Sequence, residues 1–143
     1  MNIKLYLDST YLKTAEQAGL SSNKNKEIVI NTIQEAIDNN FKLIMIRPEF
    51  VRLAKEMILN AKSKVTIGTV IDFPKGDNDL GFKLAEAKLA IQNGADDLDF
   101  VLDYGAFKRG EIELVKNQVI ACTKLGLEHH KIVKWIIEIA ALS

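Results

Sequence analysis

GADDLDFVLDY, residues 94–104, is a strand that should not contain so many acids. Aspartate is a poor strand former, and a buried carboxylate without a partner is costly. Side chains alternate along a strand. Leu98, Phe100 and Leu102 therefore share one face of 97–103, and Asp97, Asp99, Val101 and Asp103 share the other. Three further runs are dense in Ile, Val, Leu and aromatics and read as strands: KLIMIR (42–47), KVTIGTVID (64–72) and KIVKWIIE (131–138).

Between these runs the apolar period becomes helical. Val51, Ala54 and Ile58 follow one face, with Pro48 placed to open the helix. Leu80, Leu84, Ala87 and Ile91 do the same, and Asn93-Gly94 supplies a stop. Ile112, Val115, Val119 and Cys122 form a third stripe that closes near Gly126. An earlier helix, roughly 25–38, uses Val29, Ile33, Ala36 and Ile37. Strand–helix repeats of this length are the sequence form of βαβ units and a parallel sheet, an α/β fold. The open doubly wound sheet and the closed (β/α)₈ barrel both use them. Neither GxGxxG nor GxxxxGK[ST] is present, which weighs modestly against a nucleotide-binding sheet.

The 143 residues are expected to form one domain, 1–143, since no linker or low-complexity tract divides them. The 19 basic and 19 acidic side chains cancel, so charge gives no argument for nucleic acid or an anionic membrane as partner. Apolar runs fall short of the ~20 residues that span a bilayer, and the first ten residues lack a secretion-signal layout. A cytoplasmic location is the expectation. A single cysteine, Cys122, cannot form an internal disulfide, and no Cys/His spacing suggests a metal site.

In a barrel the apolar triplet of 97–103 suits the helix side, which aims Asp99 at the interior. The run 131–138 divides the same way: Val133, Trp135 and Ile137 on one face, Lys134, Ile136 and Glu138 on the other. Asp99 and Lys134 then point into one interior, as a buried ion pair or as acid–base groups at the barrel mouth. Asp97 and Asp103 read as solvated strand ends. DFPKG (72–76) reads as a βα turn able to touch a ligand, and LDST (7–10) as a capping or turn segment, or one lining a site. His129 and His130 fall in a surface loop, and Cys122 in a packed core.

Three segments together, GTVIDFPKG (68–76), AEAKLAIQNGADDLDFVLDYGAFKRGEIELV (85–115) and KWIIEIAAL (134–142), resemble the deoxyribose-phosphate aldolases. LDSTYLK (7–13) and LIMIRPEFVRLAKE (43–56) are similar to that family's N-terminal segment and first strand–helix unit. The resemblance implies parallel (β/α) units of a TIM barrel and reversible class I aldol chemistry. A lysine imine would cleave 2-deoxyribose 5-phosphate to acetaldehyde and glyceraldehyde 3-phosphate, with no metal or cofactor. By the same resemblance Asp99 is the proton donor and acceptor, Lys134 supports it, and Asp8 and Thr10 are polar substrate-binding positions of the same network. The family's KTSTG-like and KPAGG-like motifs, which carry the imine lysine and its activator, do not occur here. The expectation is therefore a half-barrel with about four of eight strands, joined to a missing C-terminal half or self-associating. A non-catalytic half-barrel that self-associates or binds small ligands is the alternative. A transaldolase-like use of Lys134, with an imine lysine on the fourth strand, is a further one.

Overall fold

The computed structural model describes residues 3–142. Its elements are β1 (Asp8–Tyr11), α1 (Ala15–Ala18), α2 (Ser22–Asn39), β2 (Leu43–Ile46), α3 (Val51–Asn60), β3 (Thr66–Ile71), α4 (Leu80–Asn93), β4 (Asp97–Val101), α5 (Tyr104–Lys108), α6 (Ile112–Glu128), β5 (Ile132–Ile136) and α7 (Ile139–Leu142). Short 3₁₀ turns cover Ile3–Tyr6 and Pro48–Phe50. The strands follow one another in sheet order β1-β2-β3-β4-β5, the pattern of repeated strand–helix–strand units. Two compact units divide the chain, Met1–Thr69 and Val70–Ser143, with the boundary inside β3.

Five strands replace the expected four. The four apolar runs are β2 to β5, and LDST belongs to an additional strand, β1. Composition hides β1 because Asp-Ser-Thr has no apolar run and its side chains stay largely in solvent. Backbone pairing makes it a strand: β1 runs parallel to β2, with Asp8 opposite Leu43 and Thr10 opposite Met45. In the first unit β2 also pairs in parallel with β3, Leu43 to Thr66 and Ile46 to Thr69.

Helices α2, α3 and α4 form close to where their apolar periods place them. Ser21 caps α2 by accepting from the Lys24 amide at 3.3 Å, and Asn40, at φ 53°, closes it in the left-handed conformation. Val51, Ala54 and Ile58 of α3 are buried as the stripe requires, after a turn opened by Pro48. Asp79 caps α4 by accepting from the Phe82 amide at 2.8 Å, and Gly94, at φ 106°, ends it.

Two helices present a different face from the expected one. The buried residues of α4 are Lys83, Ala87 and Ala90, with Leu80, Leu84 and Ile91 only partly covered. Small alanines let α4 lie close to its neighbours, and Lys83 is accepted because polar partners wait for it. In α6 the buried set is Val115, Gln118, Cys122, Leu125 and Gly126, while Ile112 is 48% exposed. Gly126 does not end this helix. A Cβ there would stand 2.3 Å from Val133 Cγ2, so glycine is what lets α6 close onto β5. Gly126→Ala is expected to cost about 1–3 kcal/mol by overpacking. Pairing it with Val133→Ala should return much of that loss in a urea unfolding series. An unchanged midpoint for Gly126→Ala would show that the helix shifts freely.

Burial of the apolar strand faces follows the alternation. Leu98 and Phe100 are fully buried in the second unit. Phe100 stacks on Trp135 with centroids 5.2 Å apart, and the indole N–H donates to Thr123 Oγ1 of α6 at 3.1 Å. Cys122 is buried, and desolvation pushes its thiol up to about 11, so it stays protonated at neutral pH. His129 and His130 are exposed where α6 ends.

Candidate active site

β4 and β5 pair in parallel with Asp99 opposite Lys134 and Asp97 opposite Ile132. Alternation therefore turns Asp97, Asp99 and Lys134 to one face, opposite the face packed on α6. The Lys134 ammonium lies 3.2 Å from Asp99 Oδ1 and 3.5 Å from Asp97 Oδ2. One cation thus bridges two carboxylates two residues apart on the neighbouring strand. The lysine side chain is 42% exposed, Asp99 16% and Asp97 8%. Asp99 is the more reachable acid, while Asp97 lies deeper against the same cation.

The expectation of solvated strand ends fails for both Asp97 and Asp103, which as whole residues are 6% and 8% exposed. Asp97 is buried because Lys134 offsets its charge. Asp103 is buried because it caps α5, accepting from the Ala106 amide at 2.7 Å. Asp8 and Thr10 are exposed on β1, in the first unit, and share one strand face there. Asp99 and Lys134 belong to the second.

A second polar cluster, absent from the sequence reading, sits at the end of β3. Lys83 is completely buried, and its ammonium forms an ion pair with the Asp72 carboxylate. The same ammonium donates to Gly76 O at 2.8 Å and to Val101 O, at the end of β4, at 3.1 Å. Asp72 also accepts from the Asn78 amide at 3.1 Å and its side-chain Nδ2 at 2.6 Å, and donates its own N–H to Glu86 Oε2 at 2.7 Å. Asp72 at φ 58° and Gly76 at φ 68° shape the DFPKG turn. A Cβ on Gly76 would come within 2.4 Å of Leu102 O, so this turn lies directly against the end of β4. The sequence signal was present but slight: Lys83, Ala87 and Ala90 share a helical stripe, and its other two members are small and apolar. Among the described residues, no group of three His, Cys, Asp or Glu side chains is arranged to hold a metal ion.

No family model matches the chain. Individual proteins do. The deoxyribose-phosphate aldolase of Thermococcus gammatolerans is 36% identical over 143 residues, all of this chain and 60% of that protein. That of Metamycoplasma hominis is 37% identical over 131 residues, 92% of this chain and 58% of the relative. The chain is similar over its whole length to part of these deoxyribose-phosphate aldolases. It spans about three-fifths of the length of these curated aldolases. A crystal structure assigned as deoxyribose-phosphate aldolase from Coccidioides immitis superposes with a TM-score of 0.81 at 27% identity, covering 99% of this chain and 51% of that one. The tetrameric aldolase of Aeropyrum pernix gives 0.75 at 27% identity, covering 95% and 52%. The α/β architecture is thus that of part of the aldolase barrel. Lys134 lies on the fifth strand, β5, which removes the positional likeness to a transaldolase lysine on the fourth.

Proposed function

We propose that this chain supplies the proton-transfer part of a deoxyribose-phosphate aldolase, with Asp99 exchanging protons and Lys134 holding its charge. The observation that carries the reading is the Asp99–Lys134 contact at 3.2 Å on adjacent strands of a chain similar throughout to these aldolases. Carbinolamine formation, dehydration and enamine protonation each move a proton, and an acid fixed beside the reacting carbonyl serves all three. Lys134 is a poor imine former here. A lysine needs its neutral amine to attack a carbonyl, and two carboxylates within 3.5 Å favour the ammonium. The imine lysine is therefore a different residue, and a small phosphorylated sugar or aldehyde is the substrate. The tetrameric A. pernix relative supports self-association as part of the same reading, and a cytoplasmic setting belongs to the proposal as well.

Trapping distinguishes this from imine chemistry on Lys134. After incubation of the chain with acetaldehyde and borohydride, intact mass is expected to stay near 16.0 kDa. A single reduced adduct that disappears in Lys134→Ala would overturn the supporting role given to this lysine.

A further inference from the structure

Lys83 is fully buried on α4, and each of the three N–H groups of its ammonium has an acceptor. The acceptors come from three segments: the Asp72 carboxylate just past β3, Gly76 O in the turn that follows, and Val101 O at the end of β4. Burying a lysine is costly, and apolar residues of similar volume often serve stability as well as a buried ion pair does. Stability alone therefore does not explain a charge here. An ammonium can do what an apolar side chain cannot, which is to hold three oxygens at hydrogen-bond distance from one atom.

One of those oxygens leads to the candidate site. Val101 follows Asp99 by two residues on β4, so their side chains share a face. Toward β5 the end of this strand is held by the Leu102 amide, which donates to Ile136 O at 3.0 Å. Lys83 supplies a second hold, donating to Val101 O at 3.1 Å. Gly76 lies against the same strand end, where a Cβ would stand 2.8 Å from Val101 O. We propose that Lys83 is a positioning residue for proton transfer by Asp99, acting through the Val101 carbonyl. The inference rests on the aldolase reading and adds to it the group that fixes where the acid stands. Such a tie matters because a misplacement of about 1 Å at a reacting group can cost about a hundredfold in rate.

The test combines Lys83→Met with Asp72→Asn, which removes the tie without leaving a stranded charge. Turnover is read in a complete barrel, with residues 1–143 in place of the matched region of the T. gammatolerans aldolase. The double variant should lose about tenfold to a hundredfold in kcat while KM stays within about twofold. In an Asp99→Asn background the same two substitutions should cost at most about twofold more, because groups that act as a unit do not add. An unchanged kcat, a full additive loss in that background, or a double variant that no longer folds would make Lys83 a scaffold residue and overturn the proposal. A second readout needs no turnover. In the ¹⁵N-labelled chain the double variant should shift the backbone amides of Asp99 and Lys134 as well as those of the 72–76 turn. Shifts confined to the turn and α4 would overturn the proposal by themselves. An inactive parent chimera counts against the aldolase reading instead, and the amide shifts still decide whether Lys83 sets the place of Asp99.

Discussion

Lys83→Met lowers the unfolding free energy of the second unit by about 3–5 kcal/mol, the usual cost of stranding one partner of a buried ion pair. The methionine stem refills most of the space, so the loss is electrostatic rather than a cavity. Asp72 stays buried with its negative charge, and the carbonyls of Gly76 and Val101 lose their donor. Against a total stability of about 5–15 kcal/mol such a change is large. Trp135 is the one tryptophan of the chain and lies in the second unit, so its fluorescence in urea reports the relevant transition. Asp72→Asn added to Lys83→Met should recover part of the loss by removing the stranded charge.

Acid offers an independent check with a definite sign. In Lys83→Met a buried carboxylate is left without its cation, and protonation removes that stranded charge. The gap between variant and parent should therefore narrow on acidification. A double variant no more stable than the single, with a gap indifferent to pH, would mean that the pair does not hold this turn.

Asp99→Asn should lower aldolase turnover about 10²–10⁴-fold, the range for removing a positioned general acid–base group. The measurement needs a complete barrel. Residues 1–143 of this chain can replace the matched region of the T. gammatolerans aldolase, with cleavage of 2-deoxyribose 5-phosphate as the assay. Asparagine keeps the shape and a polar contact to Lys134 but cannot exchange a proton at neutral pH. Asp97→Asn is the control: it also touches Lys134, at 3.5 Å, yet its side chain is half as exposed as that of Asp99, 8% against 16%. It should lose far less. Equal losses in the two variants would make the network a purely electrostatic support, and an inactive parent chimera would count against the aldolase reading itself.

Much of this was legible before any coordinates. The period-two alternation in 97–103 and 131–138 was enough to turn Asp99 and Lys134 to one face, and their registration on β4 and β5 brings them together. Helix α3 likewise buried the three residues its stripe named. In each case the information is local, because backbone geometry alone fixes which side chains share a face. β1 escaped because its pairing with β2, not its composition, makes Asp8–Tyr11 a strand. Asp97 and Asp103 looked solvated because their partners, Lys134 and the start of α5, could not be read from the residues beside them.

The amino-acid order by itself determined the α/β class, the places of β2 to β5 and of α2, α3, α4 and α6, the shared face of Asp99 and Lys134, and the likeness to the aldolases. Only the tertiary structure decided that Lys83 goes inside, that Gly126 is a contact rather than a stop, and that Gln118 is buried with its amide oxygen unpaired. Periodicity tells a side chain which way to face. Whether a charge or a missing methyl group is tolerated there depends on the atom it meets, and that atom comes from another element of the fold.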